Sequence, residues 1–238
     1  MIGFLGNILG SLLRFVYDIV AQTMASEPES ISFYAIAIIL TTIIFKLILL
    51  PINLQQSRST RKMSKVQPLM KEIQTKYKND PKTMQTKMQE LYKEHKYNPA
   101  SGCLILLVQM PIIFAFFAVF RNPQTYAFTD PGFYVAMAKN FLWIPNLENP
   151  DALLCGLPLL AAATTFLQSK TMSMNTDTAD AQAQSTQKIM NYMLPVMIFM
   201  ASRNFAAGLA LYWVIGNIFT IIQQFITNKK YSSIKGAK

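Results

Sequence analysis

The chain has almost none of the residues from which catalytic and metal sites are built. Among 238 residues there is one histidine, His95, and there are two cysteines, Cys103 and Cys155. Both cysteines lie in or beside apolar runs, where they read as small packing residues rather than a disulfide or metal pair. The apolar segments hold no Ser–His pair, no aspartyl pair and no metal-binding helix, and no phosphate loop is found. Enzymatic chemistry and a bound cofactor are therefore not expected. Charge is also sparse, at 14% of residues, and unevenly signed: 12 acids against 22 bases, a net +10. No acid falls inside any of the five runs apolar enough to be expected as spans. That argues against a proton-coupled carrier, whose relays commonly use intramembrane carboxylates.

What the chain does have is apolar length. With 52% hydrophobic residues and a mean hydropathy of +0.25, it reads as an all-α integral membrane protein. Five transmembrane helices are expected, over 31–54, 102–121, 153–169, 188–203 and 205–226. Gly156 and Pro158 suggest a bend in the third, and Ser202-Arg203-Asn204 leaves room only for a tight hairpin between the last two. Residues 3–24 carry an apolar face (Phe4, Leu5, Ile8, Leu12, Phe15, Ile19) interrupted by Arg14 and Asp18, and lack the charged start and cleavage site of a signal peptide. They read as an N-terminal amphipathic helix in the membrane interface, with a sixth span as the alternative. Orientation follows from Lys and Arg. Segment 55–101 carries eleven, the 170–188 connection two and the tail four, against Arg14, Arg121, Lys139 and Arg203 on the other side. Seventeen against four places 55–101 and the C-terminus in the cytoplasm and the N-terminus outside.

The expected organisation is an extracytoplasmic helix and linker at 1–30, the first span at 31–56 and a cytoplasmic helical hairpin at 57–98. The remaining spans follow at 99–226, then a basic tail at 227–238. Val66, Met70, Ile73 and Tyr77 recur at helical spacing, as do Met84, Met88, Leu91 and His95, which makes a packing role for His95 more natural than a ligand's. Between the stripes Asp80-Pro81 supplies a cap and a first-turn proline. Pro68 is expected to begin the first helix, and Asn98-Pro99 repeats the cap-and-proline signal. Residues 174–185, rich in Asn, Thr, Asp, Gln and Ala, read as a mobile loop. The hairpin's eleven bases against four acids suit anionic lipid, or equally a polyanion such as ribosomal RNA or an acidic protein. Direct DNA binding is not expected, because the positive-inside rule accounts for most of the basic excess.

One charge breaks the first span. Lys46 stands in ISFYAIAIILTTIIFKLILLPINL, where a charged side chain costs about 2.5–3.5 kcal/mol on insertion scales. Two readings remain open. Lys46 lies five residues before Pro51, so its stem can snorkel to the headgroups; or it faces a water-filled groove in the bundle. Thr42, one turn away, and Asn53, two turns away, can share its face.

Three blocks carry a family resemblance. NPASGCLILLVQMPIIFAFFAVFR (98–121), KIMNYMLPVMIFMASRNFAAGLALYWVIGNIFTIIQQ (188–224) and VQPLMKEIQTKYKNDPKTMQTKMQELYKEHKYNP (66–99) resemble the YidC/Oxa membrane protein insertases. With the Lys46 span, the resemblance extends from about 31 to 226, and the chain looks like the short form typical of Gram-positive bacteria, which implies a bacterial plasma membrane. It implies an insertase working without nucleotide hydrolysis, through a hydrophilic groove open to cytoplasm and lipid. Lys46 matches the family's single basic residue, usually arginine, and Gln109 and Trp213 match groove-lining positions. Ala206 stands where proline is frequent. Met110, Ile113, Phe114 and Phe117, with Trp213 and Phe219, are the expected apolar slide for a substrate helix. Nascent membrane proteins are the implied substrates, and ribosome, targeting machinery and translocon the implied partners, beside anionic lipid. A folding chaperone without autonomous insertion, or an anion channel built on Lys46, are the competing classes.

Overall fold

The computed structural model describes residues 2–96, 100–173 and 189–236. Apart from isolated bridges at Ile31, Phe141 and Ile144, the regular structure among them is helical. Helix α1 spans Ile2–Thr23, α2 Phe33–Ile48, α3 Leu50–Lys76, α4 Pro81–Glu94 and α5 Ala100–Arg121. Two short helices follow, α6 (Pro123–Tyr126) and α7 (Pro131–Ala136), then α8 (Leu157–Ser173). A single π-helical turn, Ile189–Met193, runs into α9 (Leu194–Ser202), and α10 covers Ala207–Gly236. Among the described residues, Gly3–Thr23 and Ala207–Thr227 are long and apolar enough to cross a membrane; Phe33–Ile48, Met110–Arg121 and Asn191–Ser202 are shorter apolar helices. The loop expected over 174–185 and the Asn98-Pro99 signal lie outside the described residues.

Pro68 and Pro158 do different work from that expected of them. The apolar run 31–54 is divided at Leu49, where the helix turns from α2 into α3. Pro51 has no N–H to offer the carbonyl of Leu47, and the Leu49 N–H bonds back to Leu47 and Phe45 instead. Pro68 does not begin a helix but lies inside α3. An interior proline costs ~3 kcal/mol, and here both its flanks are held: Val66, Leu69 and Met70 pack with Leu91 and Tyr92 of α4. Gly156 and Pro158 do not bend the third apolar segment; they start it. Pro158 sits in the first turn of α8, where no N–H is needed, and the Leu157 N–H donates to the Asp151 carboxylate at 2.8 Å. Asp80 caps α4 by accepting from the Thr83 N–H at 3.1 Å.

The turn between α9 and α10 is short, yet the two helices barely meet, because α8 packs against both. The first N–H groups of α10 are taken by the 137–156 segment: Ala207 donates to the Asn149 carbonyl at 2.8 Å and Gly208 to that of Leu147 at 2.9 Å. These bonds fix the helix start that a proline at 206 would otherwise pre-set. The same segment takes the Ser32 N–H on the Asn140 carbonyl, at the start of α2. One connection thus ties the starts of α2, α8 and α10 into a cap at one end of the bundle.

Helix α1 runs along this cap. Its Gly6 and Gly10 meet Tyr126 so closely that a Cβ on Gly10 would fall 2.1 Å from the Tyr126 carbonyl oxygen. The Arg14 guanidinium lies 4.5 Å from the Phe133 ring centroid, and Tyr17 meets Phe128 and Phe133 edge-on. Leu9, Leu13, Val16 and Val20 are buried against α2 and α5, whereas Phe4, Ile8, Phe15 and Ile19 stay exposed. The helix is therefore apolar on two sides, one facing protein and one facing outward.

Glu148 is the polar centre of the cap. It accepts from the Tyr134 hydroxyl at 2.5 Å, Lys139 at 3.1 Å and Asn146 at 3.3 Å. Burial opposes its charge, but those hydrogen bonds outweigh burial and hold the carboxyl below the usual glutamate range. A carboxyl lowered on folding stabilises the cap above its unfolded pKa, and that contribution is lost as pH falls through the folded value. Acidification below the ordinary glutamate range should loosen residues 134–148, read as faster hydrogen exchange there. Glu148→Gln should flatten that acid step while slightly weakening the cap at neutral pH. An unchanged step in the variant would assign the acid sensitivity to another carboxylate.

Candidate functional site

Lys46 occupies the last turn of α2, at the opposite end of that helix from the cap. Its side chain is half-buried and runs sideways onto α10. Nζ lies 3.4 Å from the Thr220 hydroxyl oxygen. Thr220 donates its own proton to the Gly216 carbonyl at 2.8 Å, which leaves its lone pairs for the ammonium. Gly216 makes the approach possible: a Cβ there would stand 3.1 Å from Lys46 Cε, 3.5 Å from Nζ and 4.0 Å from a Thr42 methyl. Among the described residues no carboxylate lies within ion-pair distance of Lys46. The charge is seated on hydroxyl and backbone-lined surface, without a counter-ion to neutralise it.

Thr42 also faces Gly216, through that methyl. It is fully buried, and its hydroxyl donates to the Ile38 carbonyl at 2.7 Å. Asn53 lies on the next helix. The break at Leu49 assigns Asn53 to α3, half-buried, with its carbonyl accepting from the Ser57 hydroxyl. Gln109 falls on α5, with its side chain outside those described.

Trp213 faces a different neighbour. Its indole N–H donates to the Thr165 hydroxyl on α8 at 3.0 Å, and Asn217 donates to Thr165 at 2.9 Å and Thr164 at 3.1 Å. Buried polar side chains of this kind bind one apolar helix to another. α10 thus has two polar flanks, one toward Lys46 and one toward α8. Gln223, two turns beyond Gly216, is buried and keeps a side-chain oxygen without a hydrogen-bond partner.

The expected apolar slide divides. Met110 and Phe114 are exposed on α5, at 45% and 47%. Ile113 and Phe219 are half-buried. Phe117 turns to the cap end, where it meets Phe205 edge-on at 5.1 Å. There it lines a cavity of about 510 Å³ with Phe120, Arg121, Glu148, Asn204 and Leu209. Sequence reasoning passed over Gly216, Thr220, Asn217, Thr164 and Thr165. The available signal was the i, i+4 spacing of a glycine and a threonine in an otherwise apolar span, the small-residue pattern that lets helices approach closely.

Comparison with known proteins converges on one group. The family model described as 60Kd inner membrane protein matches residues 27–234. A protein of Fusobacterium nucleatum named Membrane protein insertase YidC is 36% identical over 222 residues, covering 92% of this chain and 99% of that one. Proteins of the same name from Clostridium perfringens and Clostridium tetani are 41% and 35% identical, over 81% and 98% of this chain and 77% and 99% of their own.

Proposed function

Because this chain belongs to the 60Kd inner membrane protein family, that of the YidC/Oxa membrane protein insertases, we propose that it moves apolar segments of nascent proteins from cytoplasm into bilayer along a groove charged by Lys46. In this reading α2, α5, α8, α9 and α10 are the five spans. The cap is extracytoplasmic, α1 lies in the outer interface, and α3 and α4 form the cytoplasmic hairpin. The excess of bases in 55–101 and in the tail supports that orientation.

The observation that carries the reading is the seat of Lys46. A snorkelling lysine extends along its own helix toward the headgroups; this one crosses to Gly216 and Thr220 on α10. An ammonium set on the Thr220 hydroxyl, with no carboxylate within ion-pair distance among the described residues, attracts acidic residues in the polar flank of an arriving chain. The attraction gains strength where water is partly excluded, since two charges 4 Å apart gain only ~1 kcal/mol in bulk water. The substrate's apolar helix then leaves along the exposed faces of Met110 and Phe114, with Ile113, Trp213 and Phe219 behind them and Phe117 at the outer end. Burying apolar surface in lipid supplies about 25 cal/mol per Å², so no nucleotide is required. The stitched cap closes the far end and keeps the passage from becoming a pore. The basic hairpin and tail meet ribosome, targeting machinery or translocon, beside anionic lipid.

The test is insertion of a single-span substrate with an acidic N-terminal tail into vesicles containing only this protein, without nucleotide. Tail protection from external protease, above that in protein-free vesicles, is the expected result. Equal protection in both would remove autonomous insertion and leave the chaperone reading.

A further inference from the structure

The cap carries an apolar surface that the insertion mechanism does not use. Leu142 and Trp143 are 50% and 42% exposed, and Leu153 and Leu154 are 53% and 54% exposed. One buried carboxylate joins the two tips. Asp151 is 5% exposed and accepts from the Trp143 indole N–H at 3.1 Å, the Leu153 N–H at 3.0 Å and the Leu157 N–H at 2.8 Å. Gly156 presses Trp143 into the same place, since a Cβ there would lie 3.0 Å from its Nε1. The indole's only polar atom is thus consumed inside the cap, and what remains outward is hydrocarbon.

Leu142 makes water an unsatisfactory neighbour for this surface. Its φ is 50°, in the left-handed region that leucine rarely adopts, and its N–H is fixed to the Ser30 carbonyl at 2.6 Å. In water, glycine or asparagine would fill that conformation without exposing an isobutyl group. On α8, which follows directly, Leu159 and Leu160 are 46% and 41% exposed, and Phe166 and Leu167 are exposed further along. Neither 142–144 nor 153–160 contains a charged residue.

We propose that the tips 142–143 and 153–154 dip into the outer leaflet, so that the cap rests in lipid and Trp143 sits at headgroup depth. The inference rests on the reading that α8 spans the bilayer with the cap outside. A chain of this family is a membrane protein in any case, so the bilayer is the apolar phase already present beside α8. Tryptophan is enriched at that depth because its ring suits the interface. Immersion removes Leu142, Trp143, Leu153 and Leu154 from water together and fixes the cap's height, and with it the depth of Lys46.

The full chain is reconstituted into phosphatidylcholine vesicles whose acyl chains carry bromine at shallow or deep positions, and recovered by flotation. The emission difference between wild type and Trp143→Phe isolates Trp143 from Trp213. The expected result is loss of most of that emission with shallow bromines, a smaller loss with deep ones, and little effect of iodide outside. Quenching by iodide but not bromine places the patch in water and overturns the proposal; quenching by neither means that protein covers it and does the same. Should Trp143→Phe misfold, a nitroxide on Cys155 in a Cys103→Ala chain reads the same surface. Collisions with dissolved oxygen exceeding those with an aqueous nickel chelate are expected, and the reverse order overturns the proposal. A floating chain that inserts substrate while Trp143 meets water would sink this inference alone. A chain that fails to float would sink the spanning reading with it.

Discussion

Lys46→Glu is expected to abolish insertion of a substrate with an acidic tail and to restore insertion when the tail's acids are replaced by bases. Reversal turns attraction into repulsion of similar size. At 4 Å that is a swing of ~2 kcal/mol even at the dielectric of water, and more where the site is partly dry. Each ~1.4 kcal/mol is tenfold, so insertion of the acidic substrate should fall by well over an order of magnitude. Lys46→Ala removes attraction without adding repulsion and should lie between the two. Lys46→Arg should retain insertion, because it keeps the charge and Thr220 offers an acceptor. The exchange with the tail is the decisive arm: a variant that is merely misfolded cannot regain activity when the substrate's charge is reversed. If both Lys46→Ala and Lys46→Glu insert at the wild-type rate, the residue is an anchor and the work belongs to the apolar wall.

Lys46 was legible in the sequence because a charge in a 24-residue apolar run has few meanings. Its seat was not. Gly216 and Thr220 are ordinary residues of a membrane span, and their meaning lies in a contact 174 positions distant along the chain. The helical composition and apolar segments could be read from periodicity, but three prolines show where that reading stops. Pro51 follows a break, Pro68 lies within a helix and Pro158 opens one. A proline only reports a missing N–H and a restricted φ; what the chain does about it depends on the neighbours. At Pro68 those are Leu91 and Tyr92 of α4, and at Pro158 the carboxylate of Asp151. The least legible part is the cap. Residues 137–156 have no period, and read in line they are short apolar runs separated by polar residues and prolines. Their organisation comes from single hydrogen bonds to the start of the adjoining α8 and to those of the distant α2 and α10, which no local pattern records.

That dependence on single bonds makes Asp151→Ala the substitution with the largest expected effect on the fold. Its carboxylate is the acceptor for three donors from separate places: the Trp143 indole, the Leu153 amide and the Leu157 amide at the start of α8. Hydrogen bonds to a charged group contribute about 1.5–3 kcal/mol each, and a buried donor left without an acceptor costs about 1–3 kcal/mol. The losses are not additive, since the freed tips can relax toward solvent or lipid. A total of ~3 kcal/mol is a reasonable lower figure on those values. It corresponds to a loss of about two orders of magnitude in hydrogen-exchange protection at Leu157. Asp151→Asn keeps a single acceptor oxygen and should recover part of it. The consequence for function follows from geometry. α8 packs on α10, and α10 carries Gly216 and Thr220, so a loosened start of α8 frees the helix against which Lys46 is set. Asp151→Ala should therefore slow insertion of acidic and basic substrates alike. Lys46→Glu, by contrast, exchanges one for the other, and comparing the two variants separates the charge of the site from the scaffold that holds it.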